Sequence, residues 1–194
     1  IGECYEKMEN QEKALAYYHK ATKLNPEYAD AWVGIGIILD QQGRLTEGIH
    51  YIKKALEMEP ENPDFWYIFG DVQAKIGFIE EAIEAYKKTA ELDPQDEDIW
   101  LDYSQLLFEN NSKNEAIEVL AEGIKHQPDS AEFYYRMAAY FLSVGNKQEA
   151  TVFLQNALSL NYQLHNELFE FLPQLKNNST VLELIETYKK SNEL

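Results

Sequence analysis

The chain has 194 residues, of which 45% are hydrophobic, 13% aromatic and 26% charged, enough bulky side chain for a folded core and too much for wholesale disorder. Its formal net charge of −17 argues against nucleic acid or an anionic membrane as the main partner, because both attract positive potential. No run approaches the roughly 20 apolar residues of a membrane span, and a single cysteine, Cys4, excludes an internal disulfide framework or a cysteine-based metal cluster.

Along the chain one period dominates. Pro26, Pro60, Pro94 and Pro128 stand 34 apart. Trp32, Trp66 and Trp100 keep the same step, with Tyr134 in the fourth slot. Gly43, Gly77 and Gly145 form another column, completed by Asn111. Ala14, Ala82, Ala116 and Ala150 form one more, completed by Gly48. The units are residues 1–28 (a partial unit whose first helix is truncated), 29–62, 63–96, 97–130 and 131–164. Residues 165–194 form a degenerate repeat and a C-terminal capping helix.

Each unit reads as helix, tight turn, helix. In 29–62, Trp32, Ile35, Gly36 and Leu39 recur at helical spacing. Gly43 follows, where a left-handed backbone ends a helix at low cost, and Asn is the next-best residue for that role. A second helix buries Ile49, Ile52, Ala55 and Leu56, and Pro60 blocks its continuation. Gly36, Gly48 and Ala55 remove bulk where the paired helices cross. Acids open the helices: Asp30, Asp64, Asp98 and Glu132 in the first of each pair, Glu47, Glu81, Glu115 and Glu149 in the second. There they meet the positive end of the helix dipole, worth about 0.3–1 kcal/mol each. Much of the acidity is therefore helix chemistry.

The ends differ from the middle. The chain enters the pattern at the seventh position of a unit, so a longer protein with more repeats upstream is expected, and the C-terminus reads as a natural end. Leu168, Phe171, Leu172 and Leu175 continue a first-helix pattern that Pro173 should kink or end. Thr180 and Glu183 suggest a capping box for a last helix running to about Lys190. Leu182, Ile185 and Tyr188 would pack inward, with Glu183, Glu186, Lys189 and Lys190 in water.

These columns resemble the tetratricopeptide repeat, whose units place Trp, Leu, Gly, Tyr, Ala, Phe, Ala and Pro at set positions. Residues 29–62 match with Trp32, Ile35, Gly36, Leu39, Gly48, Ile52, Ala55 and Pro60; the partial unit matches with Ile1, Gly2, Tyr5, Ala14, Tyr18, Ala21 and Pro26. Gln73, Thr89 and Ser104 depart from the pattern and put local packing in question. The resemblance implies an all-α fold, a right-handed α-solenoid of stacked antiparallel helix pairs (a TPR superhelix).

It also implies a protein-interaction scaffold that binds a peptide or helix of a partner in a concave groove lined by the first helices. Carried over by position, that lining includes Val33, Ile37, Asp40, Asp64, Tyr67, Asp71, Leu101, Gln105, Phe108, Tyr135, Leu142 and Phe169, together with Asp30, Ala74, Asp98, Glu132 and Ala139. Tyr67, Phe108, Tyr135 and Phe169 would anchor a partner's side chains, and Asp40, Asp64 and Asp71 would pair with its Lys or Arg. Alternatively, some of these rings pack between hairpins and the acids only complement helix dipoles. Some family members hold a C-terminal carboxylate with Lys and Asn at these positions. Here the complete units carry neither, so the expected partner is a basic or amphipathic protein or peptide.

Catalytic signals are missing from the sequence. His19, His50, His126 and His165 fall in four different repeat phases, and none has a second ligand at metal spacing. Cys4 is expected to pack rather than react. No glycine-rich phosphate loop, serine elbow or His-Glu-x-x-His pattern occurs. The reading is a non-enzymatic, acidic protein without metal or cofactor, placed in the cytoplasm, that does not insert in a membrane and is open to homo-oligomerisation. The competing reading is the structural arm of a larger self-associating solenoid or assembly without a peptide ligand.

Overall fold

The structure is a computed structural model that describes residues 2–192; Ile1, assigned above to the partial unit, lies outside them. The chain divides into two compact units, Ile1–Asp93 and Pro94–Leu194. Unit 1 holds α1 (Gly2–Lys7), α2 (Gln11–Leu24), α3 (Ala29–Gln41), α4 (Leu45–Met58), α5 (Pro63–Ile76) and α6 (Ile79–Leu92). Unit 2 holds α7 (Glu97–Glu109), α8 (Lys113–His126), α9 (Ala131–Ser143) and α10 (Lys147–Leu160). A 3₁₀ turn (Tyr162–Asn166), α11 (Glu167–Phe171), a second 3₁₀ turn (Pro173–Asn177) and α12 (Ser179–Ser191) complete it. The described residues form no strand. Within each unit successive helices pair as antiparallel hairpins, the stacked helix pairs of an α-solenoid.

The columns of the sequence become joints of the fold. Gly43, Gly77 and Gly145 hold φ of +73°, +97° and +79°, and Asn111 holds +67°. The left-handed turn expected between paired helices is present at all four. Glu9, one step before Gly43 in the same column, also has φ +56°, a conformation that costs a side-chain-bearing residue about 1 kcal/mol. Second helices stop two residues before the prolines, at Leu24, Met58, Leu92 and His126.

The proline and tryptophan columns are one device. The indole Nε1–H of Trp32 donates to the Pro26 carbonyl at 2.8 Å, Trp66 to Pro60 at 2.7 Å and Trp100 to Pro94 at 3.1 Å. Each turn between units is thereby tied to the first helix that follows it. A carbonyl past a helix end has no intrahelical donor, and the indole supplies one while its ring packs.

Close approach explains the small residues. A Cβ on Gly48 would stand 2.9 Å from the Gly36 carbonyl oxygen, and one on Gly36 would stand 2.5 Å from Ile52 Cγ1. Here α3 and α4 touch backbone to backbone. Thr89 and Ser104, which depart from the repeat pattern, are buried but satisfied: Thr89 Oγ1 donates to the Ala85 carbonyl at 3.1 Å, and Ser104 Oγ and Tyr140 Oη lie 3.0 Å apart.

Three expectations need correction. The last helix is capped by Asn178, whose side chain accepts from Val181 N–H at 3.2 Å, so Thr180 lies inside the first turn and no Thr180–Glu183 box opens it. Its inward face is Val181, Leu184, Ile185 and Tyr188, while Leu182 points outward. Cys4 is exposed rather than packed. Pro173 does end α11 after five residues, because the ring cannot donate to the helix.

Candidate functional site on the first-helix faces

In unit 1 the expected partner-binding strip runs along α3 and α5. Val33 is buried against Ile52, Phe65 and Val72, and Ile37 is half-buried at the edge of the same cluster. Tyr67 is half-buried and stacks on Tyr86, ring centroids 5.8 Å apart. Asp64 is exposed in the first turn of α5. Asp40 and Asp71 already have a cation: Lys75 Nζ lies 2.8 Å from Asp40 Oδ2 and 2.7 Å from Asp71 Oδ2. The Asp40 side chain is only 16% exposed, and its second oxygen, Oδ1, is buried without a hydrogen bond. Burial alone would pull the Lys75 ammonium down, but hydrogen bonds to the two carboxylates outweigh it and hold the group above its usual range. The pairing expected with a partner's cation is thus made internally.

In unit 2 the strip follows α7, α9 and α11. Tyr135 is 1% exposed and donates its hydroxyl to the Asn161 carbonyl at 2.9 Å. Leu101 and Phe169 are also buried, the latter in the cluster with Leu168, Leu172 and Ile185. Leu142 is half-buried and lines a small cleft with residues of α10 and α12. Val33, Leu101, Tyr135 and Phe169 therefore serve the core, and the expectation of Tyr135 and Phe169 as open anchors is corrected. Helix α11, where the first-helix pattern continues in Leu168, Phe171 and Leu172, and the turn before it supply the cover.

What stays open is a bowl of about 320 Å³ lined by Gln105, Glu109, Arg136, Glu167, Glu170 and Phe171. Arg136 lies over the Phe171 ring, 3.9 Å from its centroid, and donates to Gln105 Oε1 at 2.9 Å. Gln105 in turn donates to Glu109 Oε1 at 2.7 Å. Phe108 stacks on Tyr140 at 4.7 Å and meets Phe171 at 5.5 Å. Glu132 and Glu167 are held above the ordinary carboxylate range, first by burial. Neighbouring acids add to the shift, Glu167, Glu97 and Asp98 for Glu132, and Glu170 and Glu97 for Glu167; Arg136 offsets part of both. The bowl thus has more carboxylate than its one guanidinium neutralises, and one aromatic wall, Phe171, with Arg136 over its ring.

Reading by repeat position missed Lys75, Glu109, Arg136, Glu167, Glu170 and Phe171. Lys75 could have been found as the i+4 partner of Asp71 on one helix face. Arg136 had a weaker signal, a lone cation beside the Tyr134–Tyr135 pair. Phe171 was read only as a member of the continuing first-helix pattern, and Glu109, Glu167 and Glu170 lie outside the repeat positions carried over.

Among the described residues no group of His, Cys, Asp and Glu has the arrangement of a metal site, and no helix is long and apolar enough to cross a membrane. Paired helices, left-handed joints and the 34-residue tryptophan–proline tie define a helical-repeat protein of the tetratricopeptide solenoid class. The chain belongs to the tetratricopeptide repeat family: the family model described as "Cytochrome c-type biogenesis protein H TPR domain" matches residues 44–163, and a "Tetratricopeptide repeat" model matches residues 5–63. A crystal structure of MamA is similar, with a TM-score of 0.74 at 20% identity over 84% of this chain and 95% of that one. So is YrrB, described as "a TPR protein with an unusual peptide-binding site", with a TM-score of 0.66 at 24% identity over 82% of each chain. At these identities the likeness is one of fold. No curated protein compared with the chain matches it.

Proposed function

We propose that the chain is a protein-interaction scaffold, working by binding rather than catalysis, and that it takes a basic or amphipathic peptide or helix on the first-helix face of unit 2. The observation that carries this reading is the 320 Å³ bowl, in which Glu109, Glu167 and Glu170 line one space with the Arg136–Phe171 pair. A partner Lys or Arg entering it gains from several carboxylates at once. At about 4 Å each such pair is worth on the order of 1 kcal/mol in bulk water and about 4 kcal/mol at the effective dielectric of a protein surface. An aliphatic stem of the same segment would lie along the Arg136–Phe171 pair that lines the bowl. The YrrB description lends support, since a peptide-binding site is built there on the same fold. In unit 1 the corresponding strip is a weaker candidate, because Lys75 competes for Asp40 and Asp71.

The test is fluorescence anisotropy with matched basic and acidic amphipathic peptide pools, repeated with an E109Q/E167Q/E170Q variant. The expected result is selection of basic peptides, a steep loss of affinity with salt, and at least about a tenfold weakening in the variant, equivalent to about 1.4 kcal/mol. Equal binding of both pools, or an unchanged variant, overturns the reading.

A further inference from the structure

Beside the bowl, and sharing Arg136, Glu167 and Phe171 with it, lies a much smaller recess between α7, α9 and α11. Its volume is about 20 Å³, against about 320 Å³ for the bowl. Glu132 lines the recess but not the bowl, and Leu101, Tyr135 and Leu168 supply the rest of its wall. The difference in size is a difference in what can enter. One water-sized group needs roughly 10–15 Å³ of such space. The recess therefore admits a single ammonium head and excludes the wider plane of a guanidinium.

The acids of the two spaces differ as well. Glu109 and Glu170, at the bowl, are exposed, whereas Glu132 and Glu167 are half-buried. Among the described residues neither Glu132 nor Glu167 accepts a hydrogen bond or forms an ion pair. Burial holds both above the ordinary carboxylate range, and neighbouring acids add to it. Each is a charge short of a partner, in a place where exclusion of water strengthens attraction to a cation.

The cation already present is of the other kind. The Arg136 guanidinium covers the Phe171 ring, 3.9 Å from its centroid, and donates to Gln105 Oε1 at 2.9 Å. The flat face on which a partner's arginine would stack is taken. An arriving arginine meets only the exposed acids of the bowl. An arriving lysine meets those and can also lower its head into the recess.

Resting on the reading that the bowl binds a basic segment, we infer that the recess makes the site selective for lysine over arginine, with the ammonium seated beside Glu132 and Glu167. Glu132 discriminates between the two cations, while Glu109 and Glu170 attract either one. The lysine methylenes lie along Leu168 and Phe171, which leaves only the charged head to be seated.

The experiment uses one amphipathic peptide with a single cationic position, made with lysine, arginine, trimethyl-lysine or norleucine there. Each form is titrated by fluorescence anisotropy against the wild type and E132Q. The expected result is that lysine binds about tenfold more tightly than arginine. Trimethyl-lysine, which keeps the charge but outgrows the space, should bind no better than arginine, and norleucine should bind least. E132Q should lower the lysine peptide to the arginine level while moving the arginine peptide less than about twofold. Lysine and arginine bound alike, both above norleucine, overturns the inference and leaves the basic-partner reading standing. So does trimethyl-lysine binding as lysine does, or a lysine preference that survives in E132Q. Equal binding of all four peptides overturns both.

Discussion

The two units carry carboxylates on equivalent helix faces and treat them oppositely. In unit 1 the acids at the ends of these faces share an internal cation: Lys75 reaches Asp71 on its own helix, α5, and Asp40 on α3. In unit 2 the single guanidinium of Arg136 is engaged by Gln105 and the Phe171 ring, and Glu109, Glu167 and Glu170 remain around an open bowl. An acidic strip read from sequence therefore does not say which acids await a partner. That depends on where the few cations fall, and one lysine closes what would otherwise be a site.

The largest effect expected from this contrast comes from the tyrosines. Tyr135→Ala in unit 2 removes a fully buried ring and its hydrogen bond to Asn161, and should cost about 3–5 kcal/mol, seen as a collapse of the urea midpoint. Tyr67→Ala in unit 1 removes a half-buried ring and should cost less than half as much. Near-equal losses would mean that the two faces are packed alike. Next comes Gly48→Ala, which forces a methyl against the Gly36 carbonyl. Because backbone must move, about 1–3 kcal/mol should be lost, whereas unit 2 already carries alanine in this column at Ala116 and Ala150.

Lys75→Met sharpens the comparison of charge. It strands the mostly buried Asp40 and should destabilise unit 1 by about 1–2 kcal/mol, between the values for exposed and buried pairs. It should also let unit 1 bind basic peptides that it otherwise ignores, a gain readable by anisotropy. Smaller again, Glu9→Gly relieves the left-handed residue of the first hairpin and should add about 0.5–1 kcal/mol. Asn111→Gly in unit 2 should add only a few tenths, since Asn tolerates that conformation.

The smallest effect is that of pH. Glu132 and Glu167 sit above the ordinary carboxyl value of 4.5 in the folded protein. The native state then binds protons that the unfolded state does not, so their contribution to stability rises as pH falls through the native values and levels off below the unfolded one. Urea unfolding of the wild type and of E132Q/E167Q at neutral and mildly acidic pH should show a gain in the wild type that the variant lacks. Over the same window basic-peptide binding should weaken, as the bowl loses charge.

The repeat register was legible because it is written in residues whose backbone chemistry is nearly unique. Glycine or asparagine holds the left-handed joints, proline ends the second helices, and small residues mark the crossings. The indole-to-proline tie was hidden because it links two columns through a side chain and a carbonyl, and neither residue signals the other. The Lys75–Asp40 pair joins residues 35 apart on different helices and needs three dimensions to be seen. The misjudged Tyr135 and Phe169 share a cause: the repeat pattern continues through Leu168, Phe171 and Leu172, but it does not tell how closely the short α11 and its flanking 3₁₀ turns pack into the cluster with Tyr135 and Ile185. The last helix was misread by the same kind of local ambiguity, with Asn178 and Thr180 both able to cap and only the fold selecting between them.

Amide chemical-shift mapping during titration with a lysine-rich amphipathic peptide tests the central claim most directly. Perturbations concentrated on α7, α9 and α11 around Gln105, Arg136 and Glu167, and fading as salt is raised, are the predicted result. Shifts centred on the second helices of the pairs, or on the Asp40–Lys75–Asp71 cluster of unit 1 with the bowl unmoved, would contradict it.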